Sequence, residues 1–184
     1  TTVIAAAGDI VSDGAVTITS GGLTTAGDIT TTADQIQFVS ATTLAGNVAL
    51  VSAGGVVRFD NTLNGTNGGA VENLTITAAG GNVTFTGAVG GAERLGTLNI
   101  VTAADVTAAA LTLTAFDQDA GTGTTTFNGA VNTNTAAGVV VANTNLAVNA
   151  AVTTTSSGVV TFTQSGTTVI AAAGDIVSDG AVTI

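Results

Sequence analysis

Seven residue types are missing from this 184-residue chain: Pro, Cys, Met, Trp, Tyr, His and Lys. Without His or Cys no Ser-His or Cys-His pair can be assembled, and without Lys there is no Schiff-base amine. Zero cysteine excludes a disulfide framework, so stability has to come from regular backbone pairing. A chain without Cys, Met, Trp or Tyr resists oxidation and suits the outside of a cell. Charged residues make up only 8%, against about 25% in ordinary soluble domains. Two of them are cationic, Arg58 and Arg94, and the net charge is −10. Backbone binding to nucleic acid needs clustered Lys or Arg, so nucleic acid is not an expected partner. The same charge disfavours anionic membranes, and no apolar run reaches transmembrane length, so no membrane insertion is expected of these residues.

What is present is small or β-branched. Gly (25 residues), Ala, Val, Thr, Asn and Ser dominate, and 45% of the chain is hydrophobic. Low charge with high apolar content opposes disorder. Small and β-branched side chains suit strands packed in thin layers. Helix formers are scarce, so the chain reads as all-β.

Short alternating segments recur: VTIT (16–19), IQFVS (36–40), VALVS (48–52), VVRFD (56–60), LTITA (74–78), VTFTG (83–87), LNIVT (98–102), LTLTA (111–115), TTTFNG (124–129), VVVAN (139–143), LAVNA (146–150) and VVTFT (159–163). Each is bounded by Gly, Asn, Asp or other small turn residues. Alternation directs Leu74, Ile76, Val83 and Phe85 inward and Thr75, Thr77, Thr84 and Thr86 outward. Phe38 and Phe59 lie 21 residues apart, and Phe85 and Phe127 twice that; the gaps of 26 and 35 between other Phe residues are read as turns of varying length. Coils of about 21 residues with two or three short strands describe a β-solenoid, in which stacked coils bury a narrow continuous core. Missing Pro fits, since Pro cannot donate to a ladder paired on both sides.

The first eighteen residues, TTVIAAAGDIVSDGAVTI, return letter for letter as residues 167–184. The chain therefore reads as a window on a longer polypeptide that repeats every 166 residues. Residues 1–166 would be one complete repeat of about eight coils, and residues 167–184 the start of the next, its ninth coil in the same structural place as the first. Neighbouring repeats of the same chain are the expected partners, with lateral self-association into a fibre as a further one.

AAGDI (6–10 and 172–176), TAGDITTTAD (25–34), NLTITAAGGNVTFTGAVGG (73–91) and GTLNIVTAADVTAAALTLTA (96–115) resemble the repeats of filamentous-haemagglutinin-like and autotransporter-type β-strand-repeat bacterial surface exoproteins. The resemblance covers the chain in style, through AGDI turns and LxIxA or VxFxG strands. It implies a right-handed parallel β-helix, export to the cell surface, and a long fibre or stalk.

Candidate chemistry is sparse, and no enzyme activity is expected. Asp117 and Asp119 in FDQDAG stand two apart, on one face if the segment is a strand, the arrangement carboxylate-only glycosidase chemistry would use; as turn residues they would simply be solvated. Asp9 and Asp13 recur as Asp175 and Asp179, and with Asp28 and Asp34 they offer the oxygen ligands that calcium takes, bound loosely in the absence of any EF-hand or β-roll loop. Asn64, Asn73 and Asn82 match the N-glycosylation pattern, although Asn73 and Asn82 also flank strands as turn-capping residues would. GTNGGA (65–70) and GAVGGAERLG (87–96) read as corners or bulges, the latter as a longer surface loop with Glu93 beside Arg94 as an exposed pair worth little. Rows of outward Thr resemble ice-binding or adhesin faces, which need strict coil-to-coil spacing. The expected role is structural and extracellular, with an adhesin face or a polysaccharide-degrading β-helix as the alternatives.

Overall fold

The protein is described by a computed structural model covering residues 1–66 and 72–184. Residues 67–70 of the GTNGGA segment lie outside the described part. Every strand pairing is parallel, and the hydrogen-bonded strands form sheets of 4, 12 and 8 members without any helix. The chain winds as a three-faced β-solenoid of about eight coils.

The first coil holds β1 (Thr2–Ile4), β2 (Ile10–Ser12) and β3 (Val16–Ile18), one strand to each face. The second holds β4 (Leu23–Thr25), β5 (Ile29–Thr31) and β6 (Ile36–Phe38), and the third β7 (Thr42–Leu44), β8 (Val48–Ser52) and β9 (Val57–Phe59). The fourth contains β10 (Leu63–Asn64), β11 (Leu74–Thr77) and β12 (Val83–Phe85). The fifth opens on Val89, which bridges Leu63 and Leu111, and continues through β13 (Leu95–Thr102) and β14 (Val106–Ala108). In the sixth, β15 (Leu111–Gln118) spans two faces before β16 (Thr124–Phe127). The seventh has β17 (Val131–Thr133), β18 (Val139–Asn143) and β19 (Asn145–Val148), and the eighth β20 (Val152–Thr154), β21 (Val160–Gln164) and β22 (Thr168–Ile170). A ninth begins with β23 (Ile176–Val177) and β24 (Val182–Thr183).

All-β architecture, parallel stacking and coils of about 21 residues thus follow the sequence reading. Nearly all interior strands alternate buried, half-buried, buried, as their apolar–polar lettering demands. Leu74, Ile76, Val83 and Phe85 point inward and the neighbouring Thr outward. The third face carries one inward column from coil to coil: Ile18, Phe38, Phe59, Phe85, Ala108, Phe127, Val148 and Ile170. Its steps are 20, 21, 26, 23, 19, 21 and 22 residues. Phe38 and Phe59 stack at 4.4 Å between ring centroids and Phe59 and Phe85 at 5.3 Å. Offset aromatic packing adds to the roughly 2 kcal/mol that burying each ring contributes.

Phe116 and Phe162 sit elsewhere, on the second face, where they continue the Leu98 and Ile100 columns. The 35-residue gap between Phe127 and Phe162 therefore reflects a change of face, not a longer turn. The 26-residue step does come from extra chain, the segment between β10 and β11.

The eighteen returning residues correct one expectation. β1, β2 and β3 lie on the first, second and third faces, where they pair β4, β5 and β6. Their counterparts β22, β23 and β24 pair β19, β20 and β21, on the third, first and second faces. The ninth coil does not take the place of the first, because the 166 intervening residues fill seven coils and two faces.

Candidate functional site

Asp and Asn before the strands form the most regular polar feature. Asp28 N–H donates to Asp9 Oδ1 (2.9 Å), and Ala49 N–H donates to Asp28 Oδ1 (2.7 Å). Asn73 N–H donates to Asn47 Oδ1 (2.9 Å), and Thr97 N–H to Asn73 Oδ1 (2.7 Å). At the next corner Asp105 N–H donates to Asn82 Oδ1 (3.0 Å) and Thr124 N–H to Asp105 Oδ1 (2.8 Å), while further along Thr167 N–H donates to Asn145 Oδ1 (2.9 Å). Each short side chain thus accepts an amide of the following coil where the strand ladder is interrupted, so the corner N–H groups are not left unpaired. Asn64 does the same for Ala92 N–H (2.9 Å) and Glu93 N–H (3.4 Å). All three residues of the glycosylation pattern are therefore coil-to-coil caps.

The candidate calcium ligands separate into two pairs at opposite ends of the solenoid. Asp9 caps Asp28, and Asp13 accepts from Thr32 Oγ1 (2.6 Å). At the far end Asp179 Oδ1 accepts from Gly158 N–H (3.1 Å), and the Asp175 carbonyl accepts from Val152 N–H (2.8 Å). The Asp34 carbonyl takes the hydroxyls of Thr31 (2.7 Å) and Ser52 (3.0 Å). Among the described residues no group of three or more acidic side chains gathers as a metal site would require.

Asp117 and Asp119 are not on one strand face. Asp117 points outward from β15, half-buried between Asn99 and Val140 in register. Asp119 lies past the strand end, exposed, where its N–H donates to the Ile100 carbonyl (3.0 Å). Desolvation raises the Asp117 carboxyl above the usual carboxylate range, and the Asp119 charge adds to that. Asp119 borders a shallow groove of about 340 Å³ with Gly121, Asn143, Thr163, Gln164 and Ser165. The amides beside it are already engaged. Gln164 Nε2 donates to the Val141 carbonyl (3.0 Å) and Asn143 Oδ1 (3.1 Å), and buried Gln118 accepts from Thr125 Oγ1 (2.6 Å). This inward amide column was not anticipated, because Gln and Asn at inward strand positions break the apolar alternation.

The two cations have different partners. Arg94 does not pair with Glu93. It follows the bulge 90–94, which opens between the Val89–Leu111 and Leu95–Leu113 pairings, so GAVGGAERLG does contain the expected surface loop. Its guanidinium donates to the carbonyls of Leu113 (2.5 Å) and Asn132 (3.2 Å) and to Asn132 Oδ1 (2.8 Å), and burial lowers its pKa. Arg58 forms the ion pair found among the described residues, with Asp60. Gln37 Nε2 also donates to Asp60 Oδ2 (2.6 Å), and this bond, followed by the Arg58 interaction, holds the Asp60 carboxyl below its ordinary value despite some desolvation. The VVRFD lettering carried that signal: residues two apart share a strand face.

Outward rows are chemically mixed. On the third face the register runs Thr17, Gln37, Arg58, Thr84, Thr107, Thr126, Ala147 and Val169, so the threonine run there is three coils long. On the second face Thr75, Asn99, Asp117, Val140, Thr161 and Thr183 succeed one another. Stacked parallel coils with a closed apolar interior and capped corners define a β-solenoid repeat protein. No family model matches the chain, and no curated protein and no solved structure matches it either.

Proposed function

We propose that this chain is a structural segment of a long, tandemly repeated extracellular fibre of a bacterial cell, serving as stalk, surface filament or sheath. The observation that carries the reading is the continuity of the inward columns into both ends, where the same eighteen residues stand. A solenoid coil cannot bury its apolar side alone, and each added coil supplies another interface, so length itself brings stability. Bare strand edges template aggregation, and continuation into a further copy covers them. The resemblance of the AGDI turns and LxIxA strands to filamentous-haemagglutinin-like exoproteins supports export to the surface. The polar groups described above serve the fold: corner carboxylates and amides cap backbone, and the side faces stay acidic, which limits lateral sticking.

The test is immunogold electron microscopy of the producing cells with an antibody raised against this chain. Label along surface filaments or a surface layer is expected. Label confined to the cell interior would overturn the reading.

A further inference from the structure

The repeated eighteen residues adopt one conformation on different faces. In both places a turn closes the first corner, with Gly8 N–H donating to the Ala5 carbonyl (2.8 Å) and Gly174 N–H to the Ala171 carbonyl (2.8 Å). In both places a serine hydroxyl orders the second corner, accepting from Gly14 N–H at Ser12 (3.1 Å) and from Gly180 N–H at Ser178 (3.2 Å). Yet β1–β3 occupy faces one, two and three, whereas β22–β24 occupy faces three, one and two.

The core accepts either placement because each inward residue of the stretch is aliphatic and each column it joins is aliphatic. Ile4 pairs Thr25 on the first face, while its twin Ile170 follows Val148 on the third. Ile10 lies against Ile29 on the second face, while Ile176 follows Val152 on the first. Val16 lies against Ile36 on the third face, while Val182 follows Val160 on the second. Backbone bonds fix the new phase at each corner: Ala171 N–H to the Val148 carbonyl (2.9 Å), Val152 N–H to the Asp175 carbonyl (2.8 Å) and Val160 N–H to the Ala181 carbonyl (2.9 Å). Moving the stretch to the faces used at the beginning would require one more strand and corner.

We propose that successive 166-residue copies build one uninterrupted solenoid in which each copy is turned by one face, a third of a turn, relative to the copy before it. The proposal rests on the fibre reading above and adds the screw relation between its units. Each copy advances the axis by roughly 37 Å, and three copies complete twenty-three coils, roughly 110 Å, before the same residues face the same way, at about 4.8 Å per coil. Every outer feature of one copy, such as the Arg58–Asp60–Gln37 cluster, is then displayed on three sides of the fibre in turn. A partner that docks on one outer row meets that row from three directions, and no side of the fibre is unique.

A chain of three copies, sharing the eighteen-residue stretch at each junction, tests this by cryo-electron microscopy; a two-copy chain serves the same measurement by crystallography. The expected result relates equivalent atoms of neighbouring copies by a third of a turn plus a rise of roughly 37 Å. Copies related by translation alone would overturn the screw while leaving the fibre intact. Copies found as separate bodies with broken junction strands would overturn both the screw and the continuous fibre.

Discussion

Phe59 sits between Phe38 and Phe85 with its ring stacked on both and its side chain fully buried. Phe59→Ala is expected to cost about 3–5 kcal/mol in denaturant unfolding, whereas Thr84→Ala, on the outer side of the neighbouring strand, stays within about 0.5 kcal/mol. A comparable loss at both positions would mean that the aromatic column does not carry the core. Glycine at the corners divides in the same way. A Cβ at Gly81 would meet the Gly55 carbonyl oxygen at 2.0 Å, while one at Gly14 would meet nothing within 4 Å. Gly81→Ala should therefore lower the melting temperature sharply and Gly14→Ala leave it unchanged or slightly raised. Two carboxylates respond to pH with opposite sign. The Asp60 carboxyl titrates lower in the folded state, so its stabilisation is full above the unfolded value and disappears as pH falls through the folded one. The Asp117 carboxyl titrates higher when folded, so its ionisation destabilises at neutral pH and that penalty is relieved as pH falls. At pH 7 Asp60→Asn should destabilise and Asp117→Asn stabilise, and both differences should shrink in acid. Urea unfolding of both variants at pH 7 and pH 3 reads this directly, and equal effects at the two pH values would refute it.

At the scale of strands and corners, the segments legible in the sequence were those whose inward positions are all apolar, such as Leu74–Thr77, Val83–Phe85 and Val139–Asn143. Strands at Leu23–Thr25, Ile29–Thr31, Thr42–Leu44, Val131–Thr133 and Val152–Thr154 were not, because one inward residue of each is Thr. Such a residue reads as an outward position and blurs the alternation. In most of them burial is made tolerable by a corner carbonyl: Thr25 donates to Gly27 (3.3 Å), Thr31 to Asp34 (2.7 Å), Thr42 to Ser40 (3.1 Å) and Thr154 to Gly158 (2.6 Å). The coil-to-coil caps at Asn73 and Asn82 were foreseeable from their place beside strands; the partner amide was not, since it lies a full coil away. Corners and strands should also differ in tolerance to added chain. Five Gly and Ser residues inserted between Gly91 and Ala92 lengthen a bulge that already leaves the sheet, and loop entropy rises by only about 0.6 kcal/mol per doubling of length. The same insertion between Thr84 and Phe85 breaks pairings with both β9 and β14. Circular dichroism melting should show a near-native transition for the first variant and loss of cooperative unfolding for the second.

For the whole molecule, stability is a sum over neighbouring coils, and the ends have one neighbour instead of two. The burial of identical sequence makes the point: the terminal strands β1 and β24 are largely exposed, while β8, β11 and β13 in the middle bury every inward side chain. Val3 is 70% and Val11 81% exposed, and their twins Val169 and Val177 are 52% and 55% exposed. Local opening should follow this gradient, with the terminal coils exchanging amide hydrogens first. The repeated stretch allows the neighbour contribution to be isolated without changing a residue. In a two-copy chain the junction copy of TTVIAAAGDIVSDGAVTI is covered on both sides, while the copies at the two extremes keep one open edge. Hydrogen exchange monitored by mass spectrometry should show the junction copy slowed by at least about tenfold relative to the terminal ones, equivalent to about 1.4 kcal/mol from the added coil. Equal rates in all three would mean that coils do not stabilise one another across the junction, and the mechanical reading of the fibre would lose its physical basis.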